Sequence, residues 1–301
     1  KDLVEGKNTL PIRVIAEDGS EKIYNINITR KQAVQNVSIF GKQFEVVDAE
    51  PTLTTSSNNT TDASGLYAST DTNTGKPTYY FRGNVTNNYV KFAGQTWRIV
   101  RVNEDGTIRI VMQDGINSNA NIAFNSNYNN YTYMYYTNSQ AKTTLESWYQ
   151  TNIGSKADLA KNVASGAYYC EQAKAKYSGS ANMTLYSSYT PDFKCSSDGN
   201  GKGIVNASVG LLSYDEVVYA GGYVNQNNSN YYLNNPAIYW WTMSPAGFSG
   251  SYSYVWDVNN TGSIRNVTVD YIDVVRPVLN LTADIQISDG DGTKDSPFVV
   301  E

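Results

Sequence analysis

Residues 96–112, TWRIVRVNEDGTIRIVM, hold the pattern that decides the fold class. Two runs rich in β-branched and aromatic residues flank a turn, Asn103-Glu104-Asp105-Gly106, whose glycine tolerates positive φ. A third run, Tyr89-Val90-Lys91-Phe92, precedes them and ends at another glycine-containing turn. Together these runs predict a three-strand antiparallel meander.

The side chains of this meander divide between interior and rim. We expect Trp97 and Ile99 to lie in the core, because large apolar side chains drive burial. We expect Arg98 and Arg101 to be solvated or paired at the rim, since charged side chains are rarely buried alone.

The composition is polar without being strongly charged. The chain contains 25 Tyr and 34 Asn in 301 residues, and only 17% of its residues are charged, against about 25% in an ordinary domain. Tyr, Asn, Ser, Thr and Gly therefore dominate the surface, as they do in β-proteins with long polar loops and in antibody-type binding loops. We expect either an extracellular β-protein of low surface charge or a dedicated binding face.

Charge and hydropathy exclude several partners. The net charge is −5 and no stretch concentrates Lys and Arg, so the electrostatic route to nucleic acid or to an anionic membrane is missing. No apolar run approaches the roughly 20 residues of a membrane helix. The chain opens Lys1-Asp2-Leu3 and is expected to be a piece of a longer precursor.

Two cysteines, Cys170 and Cys195, leave two alternatives. A disulfide would close a loop of about 25 residues and contribute roughly 3–4 kcal/mol in the chain-entropy model. Two free, buried thiols are the alternative. We favour the disulfide, because the other features indicate an extracellular protein.

The first 78 residues predict strands and a linker. Residues 1–30 alternate as a hairpin around Glu17-Asp18-Gly19-Ser20, and two strands alone are marginal in water. Residues 31–78 predict short strand structure from Val34 to Val47, with a turn at Gly41-Lys42, followed by a polar linker over 52–76.

Three helices are predicted in the second part of the chain, which otherwise forms strands. The first starts near Ser139 and stops at Gly154, and the second covers 157–163 with Ser155 as its cap. Ser213-Tyr214-Asp215-Glu216 has capping-box spacing and opens a helix that ends at Gly221-Gly222. The later strands are predicted at 238–243, 252–258, 263–269, 274–281 and 298–300.

The first 30 residues also carry a resemblance. Gly6-Lys7-Asn8-Thr9, residues 13–20 (RVIAEDGS) and residues 24–30 (YNINITR) resemble the closing hairpin of the cadherin-like β-sandwich domain of bacterial surface proteins. The resemblance covers about a tenth of the chain. It implies that this end belongs to a spacer or stalk.

A second resemblance spans about 79–301. Residues 239–245 (YWWTMSP), Gly262-Ser263-Ile264 and residues 275–279 (VRPVL) are similar to the C-terminal half of the formylglycine-generating-enzyme or C-type-lectin-like fold, also called sulfatase-modifying-factor-like. Residues 209–216 and 219–222 look like the preceding block in Gram-positive surface proteins. The expected fold class is therefore mostly β with a few helices (α+β): a β-sandwich fragment (1–30), short strands and a linker (31–78), and a C-type-lectin-like domain (79–301).

The second resemblance implies a fold that hosts both enzymes and binding proteins. Its enzymatic members use a closely spaced cysteine pair, whereas Cys170 and Cys195 stand 25 residues apart. Calcium-dependent lectins use Glu-Pro-Asn or Gln-Pro-Asp, and neither tripeptide occurs here. The chain has no His, which excludes Ser-His and Cys-His nucleophiles. The carboxylate pairs Asp215/Glu216 and Asp270/Asp273 are interpreted as capping and turn residues, so we predict no enzyme.

The loop Asp289-Gly290-Asp291-Gly292-Thr293-Lys294-Asp295 raises the question of calcium. Asp289, Asp291 and Asp295 provide carboxylates at i, i+2 and i+6, but the loop lacks the bidentate Glu and the spacing of an EF-hand. A plain tight turn is the favoured interpretation, with calcium as the alternative and no other cofactor.

A ligand-binding surface is predicted between 245 and 273, where Tyr and Trp offer large contact areas and Asn and Arg offer adaptable hydrogen bonds. We expect an extracellular, Gram-positive surface module that binds a glycan or a host or partner protein. The competing hypothesis is a structural subunit that pairs with its own copies by strand addition through residues 1–30. The predicted ligand-binding residues are Phe248, Tyr252, Tyr254, Trp256, Asn259, Asn260, Arg265, Asn266 and Tyr271.

Overall fold

A computed structural model describes residues 6–30, 35–53, 62–172, 177–178, 184–185, 190–195 and 203–301. Of these described residues, 42% are in strands and 14% in helices, which confirms the mostly-β class. No helix in the described ranges is long and apolar enough to cross a membrane.

The N-terminal strands form the predicted hairpin. β1 (Gly6–Ile15) pairs with β2 (Glu21–Arg30) across a turn at Gly19. Cross-strand pairing places Ile12 opposite Tyr24 on one face of the ribbon, which leaves that face apolar. Among the described residues this pair forms a sheet of its own. Large apolar side chains of the hairpin are 45–63% exposed: Ile12, Val14, Ile15, Ile23, Tyr24 and Ile26.

Part of the segment 31–78, predicted as short strands and linker, belongs to the main core. β3 (Asn36–Ile39) and β4 (Lys42–Glu45) form a short hairpin, and β5 (Gly65–Ser69) pairs with the strand that begins at Thr78. Ile39, Phe44 and Leu66 are buried. The predicted boundary at residue 79 therefore falls within a sheet. Val34 and residues 54–61 of the predicted linker lie outside the described residues.

The larger sheet has eight strands and contains the predicted meander. Besides β5, its strands are β6 (Thr78–Arg82), β7 (Tyr89–Phe92), β8 (Gln95–Val102), β9 (Ile108–Met112), β20 (Val278–Leu281), β21 (Ile287–Asp289) and β22 (Phe298–Val300). Its central path runs β20-β9-β8-β7-β22-β21, and β6 pairs with both β5 and β8. Trp97 and Ile99 are fully buried, as predicted.

The second sheet has six strands: β10 (Asn121–Ala123), β15 (Tyr223–Val224), β16 (Trp240–Ser249), β17 (Tyr252–Val258), β18 (Ser263–Thr268) and β19 (Ile272–Val274). Their order in the sheet is β10-β19-β16-β17-β18-β15. One long predicted strand, 274–281, is divided between the two sheets, because the chain passes from β19 to β20 through Pro277. Two small pairs complete the strand set: β11 (Ala167–Glu171) with β14 (Gly203–Ala207), and β12 (Tyr177–Ser178) with β13 (Thr184–Leu185).

Among the described residues, side chains cap two of the four α-helices. Ser139 caps α2 (Gln140–Tyr149), which continues as a π-turn to Gly154. The predicted cap of α3 (Ala157–Ala160) is wrong, because Lys156 occupies the cap position and makes no side-chain cap bond. α4 (Tyr214–Ala220) has the predicted capping box and ends at Gly221. A short turn, α1 (Ile116–Asn119), and 3₁₀ segments at Tyr131–Met134 and Tyr136–Asn138 complete the list.

Arginines of the meander are buried, which corrects their predicted position at the rim. The Arg98 guanidinium stacks on the Tyr89 ring, with its Cζ atom 3.8 Å from the ring centroid. Its Nη2 donates to the Val85 carbonyl. Arg101 and Arg109 both contact Glu216 of α4, with Nε–Oε1 and Nη1–Oε1 distances of 3.2 and 2.6 Å. The Glu216 carboxylate thus links α4 to the larger sheet.

Arg82 connects α4 to two further segments. Its Nη1 donates to the carbonyls of Val218 and Tyr219 at 2.9 and 3.0 Å, at the negative end of the helix dipole. Its Nε donates to Asp62 Oδ2 at 2.9 Å, and the same oxygen accepts the Thr52 N–H at 3.1 Å. Residues 52 and 62 are therefore fixed to one buried side chain.

Candidate functional site

The backbone of Ser253 joins three segments at one end of the six-stranded sheet. The Ser253 N–H donates to the Tyr128 carbonyl at 2.8 Å, and its carbonyl accepts the Val269 N–H at 3.1 Å. Asn125 donates its N–H to the Val269 carbonyl at 2.8 Å, so the segment that leads to Tyr128 is also bonded to the segment that holds Val269. We call these segments the aromatic end of the sheet: residues 128–131, 248–254 and 268–272.

Exposed aromatic rings are concentrated in the aromatic end. The rings of Tyr128 and Tyr252 stack with centroids 5.0 Å apart and an interplanar angle of 8°. Stacking fixes both rings while each keeps a large exposed area, so little side-chain entropy remains to be lost on binding. The exposed rings, at 38–58% of their area, are Tyr128, Tyr131, Phe248, Tyr252 and Tyr271.

The structure brings only some of the predicted ligand-binding residues to this surface. Phe248, Tyr252 and Tyr271 are exposed. Tyr254, Asn260 and Asn266 are half-buried. Phe248 lies opposite Ser253 and Tyr252 lies opposite Ser249, so the alternation of the strands directs Phe248 and Tyr252 to different faces of the hairpin.

Trp256 has a structural role instead, and the side chains of Asn259 and Arg265 form hydrogen bonds within the protein. Trp256 is fully buried and packs on Tyr214 of α4, with ring centroids 4.7 Å apart, so it is a core residue and not part of an exposed face. The Asn259 side chain accepts the Thr261 and Ser263 N–H groups at 3.0 and 2.9 Å and fixes the β17–β18 turn.

Tyr128 and Tyr131 are surface residues that the sequence did not assign to a site. The Asn- and Tyr-rich composition of 117–138 was the available signal. It does not separate the exposed Tyr128 and Tyr131 from Tyr136, which is fully buried.

A carboxyl pair lies on the face of the sheet that also holds Arg265. Asp257 and Asp273 are buried and share a hydrogen bond. Arg265 Nε donates to Asp257 Oδ1 at 3.2 Å, and its guanidinium lies 4.8 Å from the Tyr239 ring centroid. Burial, followed by the Asp257 charge, raises the pKa of Asp273 to about 8. Burial also raises the pKa of Asp257, although Arg265 opposes the shift.

This pair differs from the pair considered in the sequence, since Asp273 is joined to Asp257 and Asp270 is exposed. Two hydrogen-bonded carboxyl groups that retain one proton are chemically suited to acid–base work. Arg265 contacts both Asp257 and the Tyr239 ring, however, so the pair is covered by neighbouring side chains.

The aspartates of the predicted calcium loop do not converge. Asp289 Oδ1 accepts the Gly290 N–H at 2.7 Å, and Asp291 Oδ1 accepts the Thr293 N–H at 3.0 Å. Within the described ranges, which include Asp295, no three His, Cys, Asp or Glu side chains form a group that could hold a metal ion. The carboxylates of Asp289, Asp291 and Asp295 therefore do not form a common oxygen site in this structure, and the loop has the hydrogen bonds of a tight turn.

The predicted disulfide is confirmed. Cys170 of β11 and Cys195 are bonded, with their Cα atoms 5.4 Å apart. The bond fixes residues 190–195 beside β11, and Phe193 also pairs with Thr72 in an isolated β-bridge.

Comparison with known proteins gives one family match. A family model described as "Domain of unknown function (DUF6273)" matches residues 110–283, more than half of the chain. Neither the curated proteins nor the solved structures include a significant match.

Proposed function

The chain belongs to the DUF6273 domain family, and on this premise we propose that it is a non-catalytic binding module of a bacterial surface protein, presenting its aromatic end to a ligand. The stacked, exposed pair Tyr128–Tyr252 carries the proposal. Fixed aromatic rings beside amide side chains suit the apolar faces and hydroxyl groups of a glycan. A partner protein is the alternative ligand for the same surface.

Two features support the location and the fold within this proposal. A disulfide persists in oxidising surroundings, which favours the extracellular bacterial surface. Two sheets with few helices are compatible with the C-type-lectin-like resemblance over 79–301. We propose the cadherin-like origin of residues 1–30 on the same basis, since β1 and β2 form an isolated ribbon in the described part.

A glycan array tests the binding proposal. We expect saturable binding, and Tyr128→Ala combined with Tyr252→Ala should weaken it by about 30-fold, because removing two central aromatic contacts typically costs about 2 kcal/mol or more. Both rings are exposed, so folding should be retained.

Tyr24→Ala is the matched control, because Tyr24 is also well exposed, at 50%, but lies on the N-terminal hairpin. It should leave binding unchanged. Equal losses in both variants, or no binding to any glycan or host glycoprotein, would count against the aromatic end as a binding surface.

A structural role is the second candidate, supported by the apolar face of the hairpin. Strand addition through this ribbon predicts oligomers whose population rises with protein concentration. We expect Ile12→Lys with Ile26→Lys to return the chain to a monomer in sedimentation velocity.

Ile204→Lys is the control for this experiment, since Ile204 is an exposed apolar residue outside the hairpin. A wild-type chain that stays monomeric at every concentration would exclude assembly through residues 6–30. Oligomers that survive the double substitution would place the contact elsewhere.

A further inference from the structure

A cavity of about 460 Å³ lies between residues 50–53, residues 68–71, residues 190–191 and α4. Small-molecule sites have volumes of about 300–1,000 Å³, so a ligand the size of an amino acid or a monosaccharide fits. None of its lining residues belongs to the aromatic end, so this site is separate from the proposed function. Its wall includes Glu50, Asp71, Tyr80, Pro191 and Tyr219.

Two tyrosines give the cavity an aromatic wall. The rings of Tyr80 and Tyr219 meet edge to face with centroids 4.8 Å apart, and Phe193 stacks on Tyr219 at 4.0 Å. The Tyr219 hydroxyl donates to the Pro191 carbonyl at 3.2 Å. Burial raises the pKa of both phenols, so both remain neutral at physiological pH.

Neighbouring rings hold Tyr80 in the cavity wall. The residue is 2% exposed and lines the cavity, and its ring stacks on Tyr67 with centroids 5.8 Å apart. Because this side chain is already fixed by packing, it would lose little side-chain entropy on contact with a ligand.

The charged groups in the described part of the wall have one sign. Glu50 and Asp71 line the cavity, and no Lys or Arg among the described residues does. Lys194 forms an ion pair with Asp71, and both of these side chains are about half exposed. A positively charged ligand would find two carboxylates and two aromatic rings in the wall of the cavity.

We propose that this cavity binds a small organic cation, a protonated primary amine on a carbon skeleton of monosaccharide or amino-acid size. The amine lies between Glu50 and Asp71, and the carbon skeleton packs against the two tyrosine rings. A hydroxyl or carbonyl group of the ligand pairs with the Tyr80 hydroxyl.

The disulfide makes this site dependent on oxidation. Phe193 donates its N–H to the Asp71 carbonyl at 2.9 Å, and Cys195 donates its N–H to Asn73 Oδ1 at 2.8 Å. The bond to Cys170 therefore fixes the wall formed by residues 190–191 against the segment that carries Asp71. Reduction is expected to loosen this wall and weaken binding.

Isothermal titration calorimetry of the full chain tests the proposal with matched probes. We expect glucosamine or Nα-acetyl-lysine amide to bind, and glucose, which has no amine, to bind at least tenfold more weakly. Glu50→Gln and Tyr80→Phe should each weaken binding of the amine about five- to tenfold, the cost of one charge-assisted or buried hydrogen bond. Lys194→Ala should strengthen it about threefold, because it removes the cation that competes for Asp71.

Asp284→Asn, an exposed substitution remote from the cavity, and Tyr252→Ala at the aromatic end should leave amine binding unchanged. Dithiothreitol should lower the affinity of the wild type. The proposal is overturned if neither amine binds, if glucose binds equally well, or if Glu50→Gln has no effect. Substituting the tyrosines of the aromatic end should abolish binding on the glycan array, whereas Glu50→Gln should not affect it. The binding proposal for the aromatic end and the amine proposal for the cavity can therefore be rejected separately.

Discussion

Replacing Glu216 with Ala is expected to lower the free energy of unfolding by about 3–5 kcal/mol, the usual cost of removing one partner of a buried ion pair. The carboxylate neutralises Arg101 and Arg109 inside the protein, and Oε2 also accepts the Ser213 N–H at 3.0 Å as half of the capping box. Burial alone would raise the pKa of Glu216, but Arg109 and Arg101 lower it below its ordinary value. The substitution therefore leaves two buried cations without this carboxylate and removes half of the capping box, while the Ser213 hydroxyl still accepts the backbone N–H of residue 216.

Urea or guanidinium denaturation measures this effect. Glu146→Ala is the control, because Glu146 pairs with Lys142 on the surface of α2 and such pairs contribute about 0–1 kcal/mol. Glu216→Gln should retain part of the cap while losing the charge, and should fall between Ala and wild type. A loss below about 1 kcal/mol for Glu216→Ala would mean that the two arginines find other partners.

Asp273→Asn is expected to flatten the pH dependence of stability between about pH 4 and pH 8. Asp273 is protonated in the native state up to about pH 8, whereas an unfolded aspartate releases its proton near pH 3.9. Between these values the native state holds the extra proton, so wild-type stability is fully present below about pH 4 and falls as pH rises. The slope from one proton is at most about 1.4 kcal/mol per pH unit.

Denaturation midpoints at a series of pH values, for wild type and variant in parallel, measure this difference because other titrating groups cancel. Asn resembles the protonated carboxyl group and can still donate to Asp257, beside Arg265 and Tyr239. Asp270→Asn, on the exposed turn before β19, should leave the wild-type slope unchanged. A variant as pH-dependent as wild type would show that Asp273 does not hold the proton.

Local structure was largely predictable because its signals are local. The Ser213–Glu216 spacing predicted α4 at its observed bounds, and period-two alternation predicted β17 at Tyr252–Val258. The glycine turns of the meander have positive φ at Gly94 and Gly106, the conformation that only glycine adopts cheaply.

Partners distant in sequence were not predictable. Arg101 and Glu216 lie 115 positions apart, and nothing near either residue indicates that they meet. The sequence also did not predict that both faces of β17 are covered, because the element that covers the second face is distant in sequence. Alternation assigns Trp256 to one face of β17 but does not indicate that α4 covers that face, and composition did not show that Tyr128 stacks on Tyr252.

The bonds of Arg82 have a practical consequence for protein engineering. The Thr52 N–H and the Arg82 Nε–H both donate to Asp62, so residues 52 and 62 are held at neighbouring, fixed points. A peptide inserted between residues 53 and 62 would have both of its ends held by the hydrogen bonds to Asp62, so it would transmit little strain to the sheets. This position makes the domain a candidate scaffold for libraries of inserted loops, independent of the ligand that the natural protein binds.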